Sequence, residues 1–478
     1  MNDTIAAIAT PFGEGAIALL RLSGPRAAEY AGGVFRGKKP VEEMPARTQH
    51  YGAIIDGDQK LDNVLLTVFR APGSYTGEDV VEISGHGGVL VARRILEVLL
   101  RAGARPAEPG EFTQRAYLHG KMDLTQAEAV MDIITAQTDL ALQAAGEQLA
   151  GRLGEHTLRL RSALVELLAH VEAYIDFPDE DIDPATGEAL LAKVDATRAE
   201  IEALLATAER GKVLREGVRT VIYGAPNVGK SSLLNLLLGQ ERAIVSPRPG
   251  TTRDVIEEVI NLRGLPLRLI DTAGVRESAD EIEQAGMERT RLQVARADLV
   301  LHVIDASCPR NAAEFTAECA DRSQRTAERE NEKGGSQSLQ PSATALPSAA
   351  KSPPATVWVL NKSDLGEHPS WQGVEGVRIS CLTGTGVEAL ADAVFAQVTG
   401  GEAAHRDWSL AVNARHADCL RRARGFITAA RDALTSGLSP EFVAEELRGA
   451  LDAVGEIVGK ADHEEILGKI FSTFCIGK

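Results

Sequence analysis

Gly224-Ala225-Pro226-Asn227-Val228-Gly229-Lys230-Ser231 has the spacing G-x-x-x-x-G-K-[ST], a glycine-rich turn that carries a strand into a helix. The flanks suit that reading. Thr220-Val221-Ile222-Tyr223 reads as a buried strand running in, and Ser232 to Leu238 as a helix running out. Glycines at both ends let successive N–H groups turn inward, and the helix that follows adds the positive end of its dipole, so the stretch predicts a phosphate site. Lys230 is expected to reach the outer phosphates and Ser231 to ligate magnesium, with Val228, Gly229 and Ser232 completing the contacts.

The 478 residues are 44% hydrophobic, enough for two to four domains at about 100–200 residues each. No run of 18 apolar residues occurs and Arg21 is the first basic residue, so the expectation is a cytoplasmic protein without membrane insertion. Cys308, Cys319, Cys381, Cys419 and Cys475 are scattered without metal-ligand spacing. The formal charge of −17 weighs against nucleic-acid binding over the whole surface, which depends on neutralising phosphates. Arg93-Arg94 and Arg421-Arg422-Ala423-Arg424 are the local candidates for an RNA contact, and each also reads as a solvated helix face.

Residues 1–121 alternate short apolar runs (Ile5 to Ala9, Ala16 to Leu22, Tyr51 to Ile55, Val64 to Phe69, Val80 to Ser84) with two helical patterns, which predicts a mixed α/β domain. From residue 122 to 215 the pattern becomes helical, entered by a capping box at Thr125-Gln126-Ala127-Glu128 and continued by a helix over about 188–212. An acidic run between, Phe177 to Pro184, reads as a solvent-facing turn. Residues 216–400 hold the nucleotide motifs, with a Ser/Ala/Pro/Gln/Glu-rich insertion over 308–354 read as disordered. Helical pattern resumes over 401–478. The predicted fold is therefore multidomain: an α/β N-terminal domain, a helical domain, and an α/β P-loop domain inserted into the helical one. Such an insertion could pass conformational change into the helices at two attachment points, a hypothesis that needs a two-state element.

Three later stretches select the nucleotide. Asp271-Thr272-Ala273-Gly274 follows an apolar strand, so Asp271 can hold magnesium through water and the Gly274 amide can sense a γ-phosphate. Asn361-Lys362-Ser363-Asp364 follows another strand. The Asp364 carboxylate can accept from N1–H and the 2-amino group of guanine, neither of which adenine offers, and sites of that kind discriminate by ~10⁴ to 10⁵. Ser380-Cys381-Leu382 lies where a backbone amide can meet the guanine O6. Within Gly250-Thr251-Thr252-Arg253-Asp254 a threonine hydroxyl can complete the magnesium shell only with the γ-phosphate present, which marks a switch. Four weak motifs in this order, each at a strand end, make a strong reading of a GTPase. Val275 stands where many GTPases place a water-orienting glutamine, and Arg253 and Arg276 are candidate arginine fingers. Asn227 offers another route, as a hard oxygen ligand for a monovalent cation.

Outside these motifs, Asp3 to Pro11, Tyr75-Thr76-Gly77-Glu78-Asp79-Val80, Gly85-His86-Gly87-Gly88, Pro109-Gly110-Glu111-Phe112, Asp123 to Ala129 and Phe474-Cys475-Ile476-Gly477-Lys478 closely resemble the MnmE (TrmE) family of tRNA-modification GTPases over nearly the whole chain. The resemblance implies an N-terminal domain that dimerises and binds 5-formyl-tetrahydrofolate or a related one-carbon folate through Arg21, Glu82, Lys121 and Lys478. It implies magnesium at Ser231 and Thr252, and potassium in place of an arginine finger, held by Asn227, Ser246, Arg248 and Thr251. The resemblance further implies that Ser246, Pro247, Arg248, Pro249, Gly250 and Thr251 close over that ion and that Glu283 orients the water, beside Asn227 and Lys230 as catalytic residues. It implies a homodimer and an FAD-dependent MnmG-type partner in a heterotetramer, FAD sitting on the partner. Together they place an aminomethyl or carboxymethylaminomethyl group at C5 of the tRNA wobble uridine, with GTP hydrolysis driving G-domain dimerisation. Cys381-Leu382 and Glu14-Gly15-Ala16 depart from the family pattern.

Other readings of the residues are a ribosome-assembly GTPase, which calls for an RNA-binding domain, and a non-hydrolysing GTP clamp. Cys475 reads as packed or incidental rather than nucleophilic, having no evident base beside it.

Overall fold

The computed structural model describes residues 3–176, 187–240, 258–270, 293–310, 354–400, 410–459 and 464–478. It divides into two compact units, one of Met1–Thr135, Gln143–Gly211 and Ser409–Lys478, the other of Ala136–Leu142 and Lys212–Trp408. Among the described residues no helix is long and apolar enough to cross a membrane.

In the first unit, β1 (Ile5–Ile8), β2 (Ile17–Ser23), β3 (Phe35–Gly37), β4 (Gln49–Asp56), β5 (Gln59–Phe69), β6 (Val80–His86) and β7 (Arg105–Pro106) form one sheet in the order β3-β4-β5-β6-β2-β1-β7. All neighbours are antiparallel except β1 and β7. Alternation along the strands selects one face: Leu20, Leu22, Val64, Leu66, Val68, Val81 and Ile83 turn inward. They pack on Ala27 and Ala31 of α1 (Ala27–Val34) and on Ile95 and Leu99 of α2 (Val89–Arg101). Each large aliphatic side chain buried there contributes about 1.5–3 kcal/mol.

The edge beside β1 is tied by charge. Arg115, on α3 (Glu111–Leu118), is 0% exposed. Its Nη2 donates to Asp3 Oδ1 (2.8 Å) and Glu111 Oε1 (2.9 Å), and its Nη1 to both Glu78 carboxylate oxygens (3.1 Å each) and the Asp3 carbonyl (3.0 Å). Three pieces of chain, the stretch at Asp3, the loop at Glu78 and α3 itself, thereby meet on one guanidinium.

The helical part of this unit comprises α4 (Leu124–Thr135), α5 (Asp139–Leu149), which runs in from the second unit, α6 (Arg152–Asp176), α7 (Gly187–Leu205), α8 (Ala208–Glu216), which runs out of it, and, after the nucleotide motifs, α11 (Ala414–Thr435), α12 (Pro440–Ile457) and α13 (Glu464–Ser472). Leu160, Leu164, Leu167 and Val171 of α6 recur at helical spacing. They share a core with Val194 and Ile201 of α7, Leu420 and Ile427 of α11, and Val443, Leu447 and Val454 of α12.

Two helix boundaries differ from the expectation. The capping box lies two residues earlier: Asp123 Oδ1 accepts from the Gln126 N–H (2.9 Å) while Gln126 Oε1 accepts from the Asp123 N–H (3.0 Å). Thr125 Oγ1 instead donates to Asp123. The helix predicted over 188–212 is two helices, α7 ending at Leu205 and α8 starting at Ala208, and at the junction the Thr207 N–H and hydroxyl both donate to the Leu204 carbonyl (3.0 and 2.7 Å).

In the second unit, β8 (Val218–Tyr223), β9 (Glu258–Leu262), β10 (Leu265–Leu269), β11 (Leu299–Asp305), β12 (Ala355–Asn361) and β13 (Val377–Arg378) form a sheet of order β13-β12-β11-β8-β10-β9. Every pair is parallel except β9 with β10. Helices α9 (Lys230–Gln240) and α10 (Val387–Thr399) accompany it, and Leu233, Leu234 and Leu237 of α9 and Leu390 and Val394 of α10 join the sheet's core. Continuous apolar runs such as Leu299-Val300-Leu301 are what a parallel sheet covered on both faces requires. Residues 311–353, most of the predicted insertion, and the acidic run after Phe177 lie outside the described residues.

Arg115→Ala would leave Glu78 and Glu111 without their central cation, and breaking a buried pair costs about 3–5 kcal/mol. Urea unfolding followed at the N-terminal sheet is expected to shift by that amount; a change below about 1 kcal/mol would show that the cluster does not hold the edge.

Candidate functional site

In an open parallel sheet, ligands gather at the carboxyl ends of the strands. Here β8 ends in the loop Gly224 to Gly229, which leads into α9 at Lys230. The loop turns through left-handed backbone at Asn227 (φ 64°) and Gly229 (φ 101°). Asparagine tolerates that region better than other side chains. At Gly229 glycine is required by space as well, since a Cβ would lie 2.2 Å from Asn361 Nδ2. Lys230 Nζ donates to the carbonyls of Gly224 (2.9 Å) and Ala225 (2.8 Å), which keeps the ammonium against the loop, and partial burial lowers its pKa.

Asn361, at the end of β12, joins three motifs. Its Nδ2 donates to the Val228 carbonyl (2.8 Å) and its Oδ1 accepts from the Cys381 N–H (3.2 Å). One buried amide therefore fixes the glycine-rich loop against both stretches expected to contact the base. Lys362 has left-handed backbone (φ 64°) and its Nζ donates to Asp305 Oδ2 (2.6 Å). Asp305 also accepts from the Ser307 N–H (3.0 Å) and hydroxyl (2.6 Å). Burial alone would raise the Asp305 pKa; the bonds from Lys362 and Ser307 hold it below its usual value. Ser363 and Asp364 form a short 3-10 turn with Asp364 exposed, and the Ser363 N–H donates to the Ile379 carbonyl (3.1 Å).

Ser380 is buried and its N–H donates to the Thr385 carbonyl (2.9 Å). Burial pushes the Cys381 thiol up to about 11, so it stays a neutral packing group. Leu382 is 85% exposed, so the departure from the family pattern there leaves an apolar side chain on the surface. Ser231 and Ser232 occupy the first turn of α9 and are exposed, as is Asn227. Among the expected nucleotide and cation residues, Ser246, Pro247, Arg248, Pro249, Gly250, Thr251, Thr252, Asp271, Thr272, Ala273, Gly274 and Glu283 lie outside the described residues.

The N-terminal sheet gathers a second group. Arg21 of β2 and Glu82 of β6 are register partners, and Arg21 Nε and Nη2 donate to Glu82 Oε1 at 3.0 and 2.8 Å. The guanidinium lies 5.6 Å from the Tyr75 ring centroid and 5.7 Å from that of Phe112, and Nη1 donates to the Gly477 carbonyl (3.4 Å). Lys478 follows in chain; partial burial, then the nearby Arg21, lowers its pKa. Lys121 is placed differently. Its Nζ donates to the Pro72 carbonyl (2.9 Å), at the base of the loop that carries Tyr75.

Sequence reading missed Asp305, Tyr75 and Phe112. Asp305 carried a usable signal, an acidic residue closing an apolar strand; the two aromatics are assembled by tertiary packing. The RNA candidates are largely neutralised: Arg93 pairs with Glu97, Arg94 with Asp56, Arg421 with Asp418 and Arg422 with Glu456. No group of three or more potential metal-ligating His, Cys, Asp or Glu side chains occurs among the described residues.

A family profile described as the GTP-binding protein TrmE N-terminus matches residues 4–121, and one described as the MnmE helical domain matches residues 124–475. Full-length relatives agree. The tRNA modification GTPase MnmE of Akkermansia muciniphila is 49% identical over 480 residues, covering 99% of each chain. Those of Geobacter metallireducens (44%) and Clostridioides difficile (42%) each cover 100% of both chains.

Gly229→Ala is expected to abolish GTP and GDP binding, measured by titration with fluorescent nucleotide, because the new methyl has no space and its backbone is strained. Retained affinity within about threefold would mean that the contact with Asn361 yields easily.

Proposed function

This chain belongs to the MnmE family of tRNA-modification GTPases, and we propose that its GTP hydrolysis is potassium-dependent and drives a one-carbon modification at C5 of the tRNA wobble uridine. GTP hydrolysis in tRNA modification follows from membership; the ion, the folate, the partner and the position on tRNA are our reading. Its domains would be 1–121, 122–215 with 401–478, and 216–400. The observation that carries it is Asn361, which ties the phosphate loop to both base-reading stretches and so makes one nucleotide site of three separate motifs.

Asp364 would read guanine N1–H and the 2-amino group, and the backbone at Ser380, Cys381 and Leu382 would meet O6. Filling the site would draw Lys230 from the loop carbonyls to the outer phosphates. The exposed hydroxyl of Ser231 fits a magnesium ligand, with Thr252 completing the shell, and Asp271 to Gly274 would face the γ-phosphate. Asn227 presents a hard oxygen at the turn where its left-handed backbone sets it, which fits a potassium ligand alongside Ser246, Arg248 and Thr251. When bound, the two cations neutralise the charge that develops on the phosphoryl oxygens. Glu283 would orient the attacking water.

Arg21, Glu82 and Lys478, lined by Tyr75 and Phe112, suit a reduced folate: the carboxylate accepts from donors on the pterin edge, the rings stack, and the cations meet the glutamate tail. Lys121 would join from the adjoining loop. The sheet face opposite α1 and α2 supports a homodimer. Tyr51, Leu65, Ser84 and Leu19 follow one another across four strands there, and Tyr51 (67%) and Ile17 (64%) are strongly exposed. An acidic chain (−17) suits sharing tRNA with an FAD-dependent MnmG-type partner, in the cytoplasm.

Two measurements test this. GTP turnover should be at least about tenfold faster in potassium than in sodium, with the difference lost in Asn227→Ala; equal rates in both salts would remove the cation mechanism. Binding of 5-formyl-tetrahydrofolate should weaken at least about tenfold in Glu82→Gln, and no retention by the wild-type chain would remove the folate assignment.

A further inference from the structure

The chain leaves the first unit after Gly211 and re-enters it at Ser409. These two crossings touch inside that unit. A Cβ on Gly211 would lie 2.3 Å from the Val412 carbonyl oxygen, and Val412 is fully buried. The next residue, Asn413, caps α11: its side chain accepts from the His416 N–H (2.8 Å), while its own N–H donates to His416 Nδ1 (3.3 Å). With Nδ1 accepting, the imidazole proton sits on Nε2, which donates to Glu128 Oε2 at 2.6 Å. Arg415 grips the same carboxylate with two bonds (2.9 and 3.0 Å) and donates to the Glu456 and Ile457 carbonyls at the end of α12 (2.8 and 2.9 Å). Burial alone would raise the Glu128 pKa, yet His416 and Arg415 hold it well below the usual carboxylate range, so the cluster is ionic at neutral pH.

Glu128 belongs to α4, and on that helix Leu124 and Ala127 pack against Phe471 and Phe474. Those phenylalanines begin the C-terminal tail, which is threaded into the N-terminal domain. Ile476 bridges Pro109, the Lys478 carbonyl accepts from the Phe112 N–H (3.2 Å), and the Gly477 carbonyl accepts from Arg21 (3.4 Å). At Gly477 a Cβ would lie 2.7 Å from the Ile8 carbonyl oxygen. Both ends of this path are close-packed, and its middle is a buried ionic cluster that has either all its bonds or few of them.

We propose that Glu128, His416 and Arg415 are positioning residues that transmit the nucleotide state, from the point where the inserted domain rejoins the helices, to the tail that carries Cys475 and Lys478 beside Arg21 and Glu82. This rests on reading residues 216–400 as a GTP switch; only its consequence for ligand affinity rests on the folate assignment. A shift of α11 at its capped first turn must drag or release the carboxylate on α4, because the bidentate arginine and the fixed imidazole tautomer leave no second arrangement with equal bonding. Linkage requires the tail to bias the nucleotide site in return.

Hydrogen exchange on the full chain tests it without any folate present. In magnesium and potassium, saturated with GDP or with a non-hydrolysable GTP analogue, amides of residues 108–113 and 471–478 should exchange at rates differing by about fivefold or more between the two states. In His416→Ala that difference should vanish while both nucleotides still saturate the site, and in His416→Gln, whose amide can still donate to Glu128, it should return. Glu128→Asp, which keeps the charge but draws it back by one carbon, should reduce the difference even if the alanine variant folds poorly. Identical tail exchange in both states of the wild type, or an undiminished difference in His416→Ala or Glu128→Asp, would overturn the proposal. Titration of the same samples with 5-formyl-tetrahydrofolate separates the two readings, since absent binding with state-dependent exchange removes the folate and leaves the relay standing.

Discussion

The N–H of Phe112 donates to the carbonyl of Lys478, the last residue of the chain. The seven-stranded sheet and α3, drawn from the early part of the sequence, are thus joined by residues 471–478 of the same unit, and that contact constrains everything between. The helical section must carry the chain out and bring it back, so its two halves, on either side of the nucleotide motifs, share one core through α6, α7, α11 and α12. The second unit can then be spliced in where the crossings touch, at Gly211 and Val412, without opening that core.

The nucleotide site follows a related economy. Its glycine-rich loop and the two stretches proposed to read the base sit on separate strand ends, and strand order alone brings them near one another. What sets their spacing is the Asn361 side chain, with Gly229 left bare to let it approach. Because a buried amide without partners costs about 1–3 kcal/mol, the three stretches are held in one arrangement.

Much of this was legible in the sequence where the signal is local. The phosphate loop and the Asn361 motif declare themselves because backbone turns demand particular residues at fixed spacing, and the sheet strands because alternation has a period of two. The Arg21–Glu82 pair was placed by resemblance alone; residues 61 apart meet only through the register of β2 on β6. Thr125 to Glu128 satisfied a capping pattern that Asp123 and Gln126 satisfy in fact, and Glu128 was free for other work because its partner His416 lies 288 residues on. The helix break falls beside Thr207, whose N–H and hydroxyl both donate to the Leu204 carbonyl. Long-range pairing and local bonding of that size carry no periodic signal.

The central claim joins this nucleotide switch to chemistry on tRNA, and nucleoside composition of tRNA from cells deleted for the chain tests it most directly. The account predicts that the aminomethyl or carboxymethylaminomethyl group disappears from C5 of wobble uridine and returns with the wild-type chain. Unchanged wobble nucleosides in the deleted cells would contradict it.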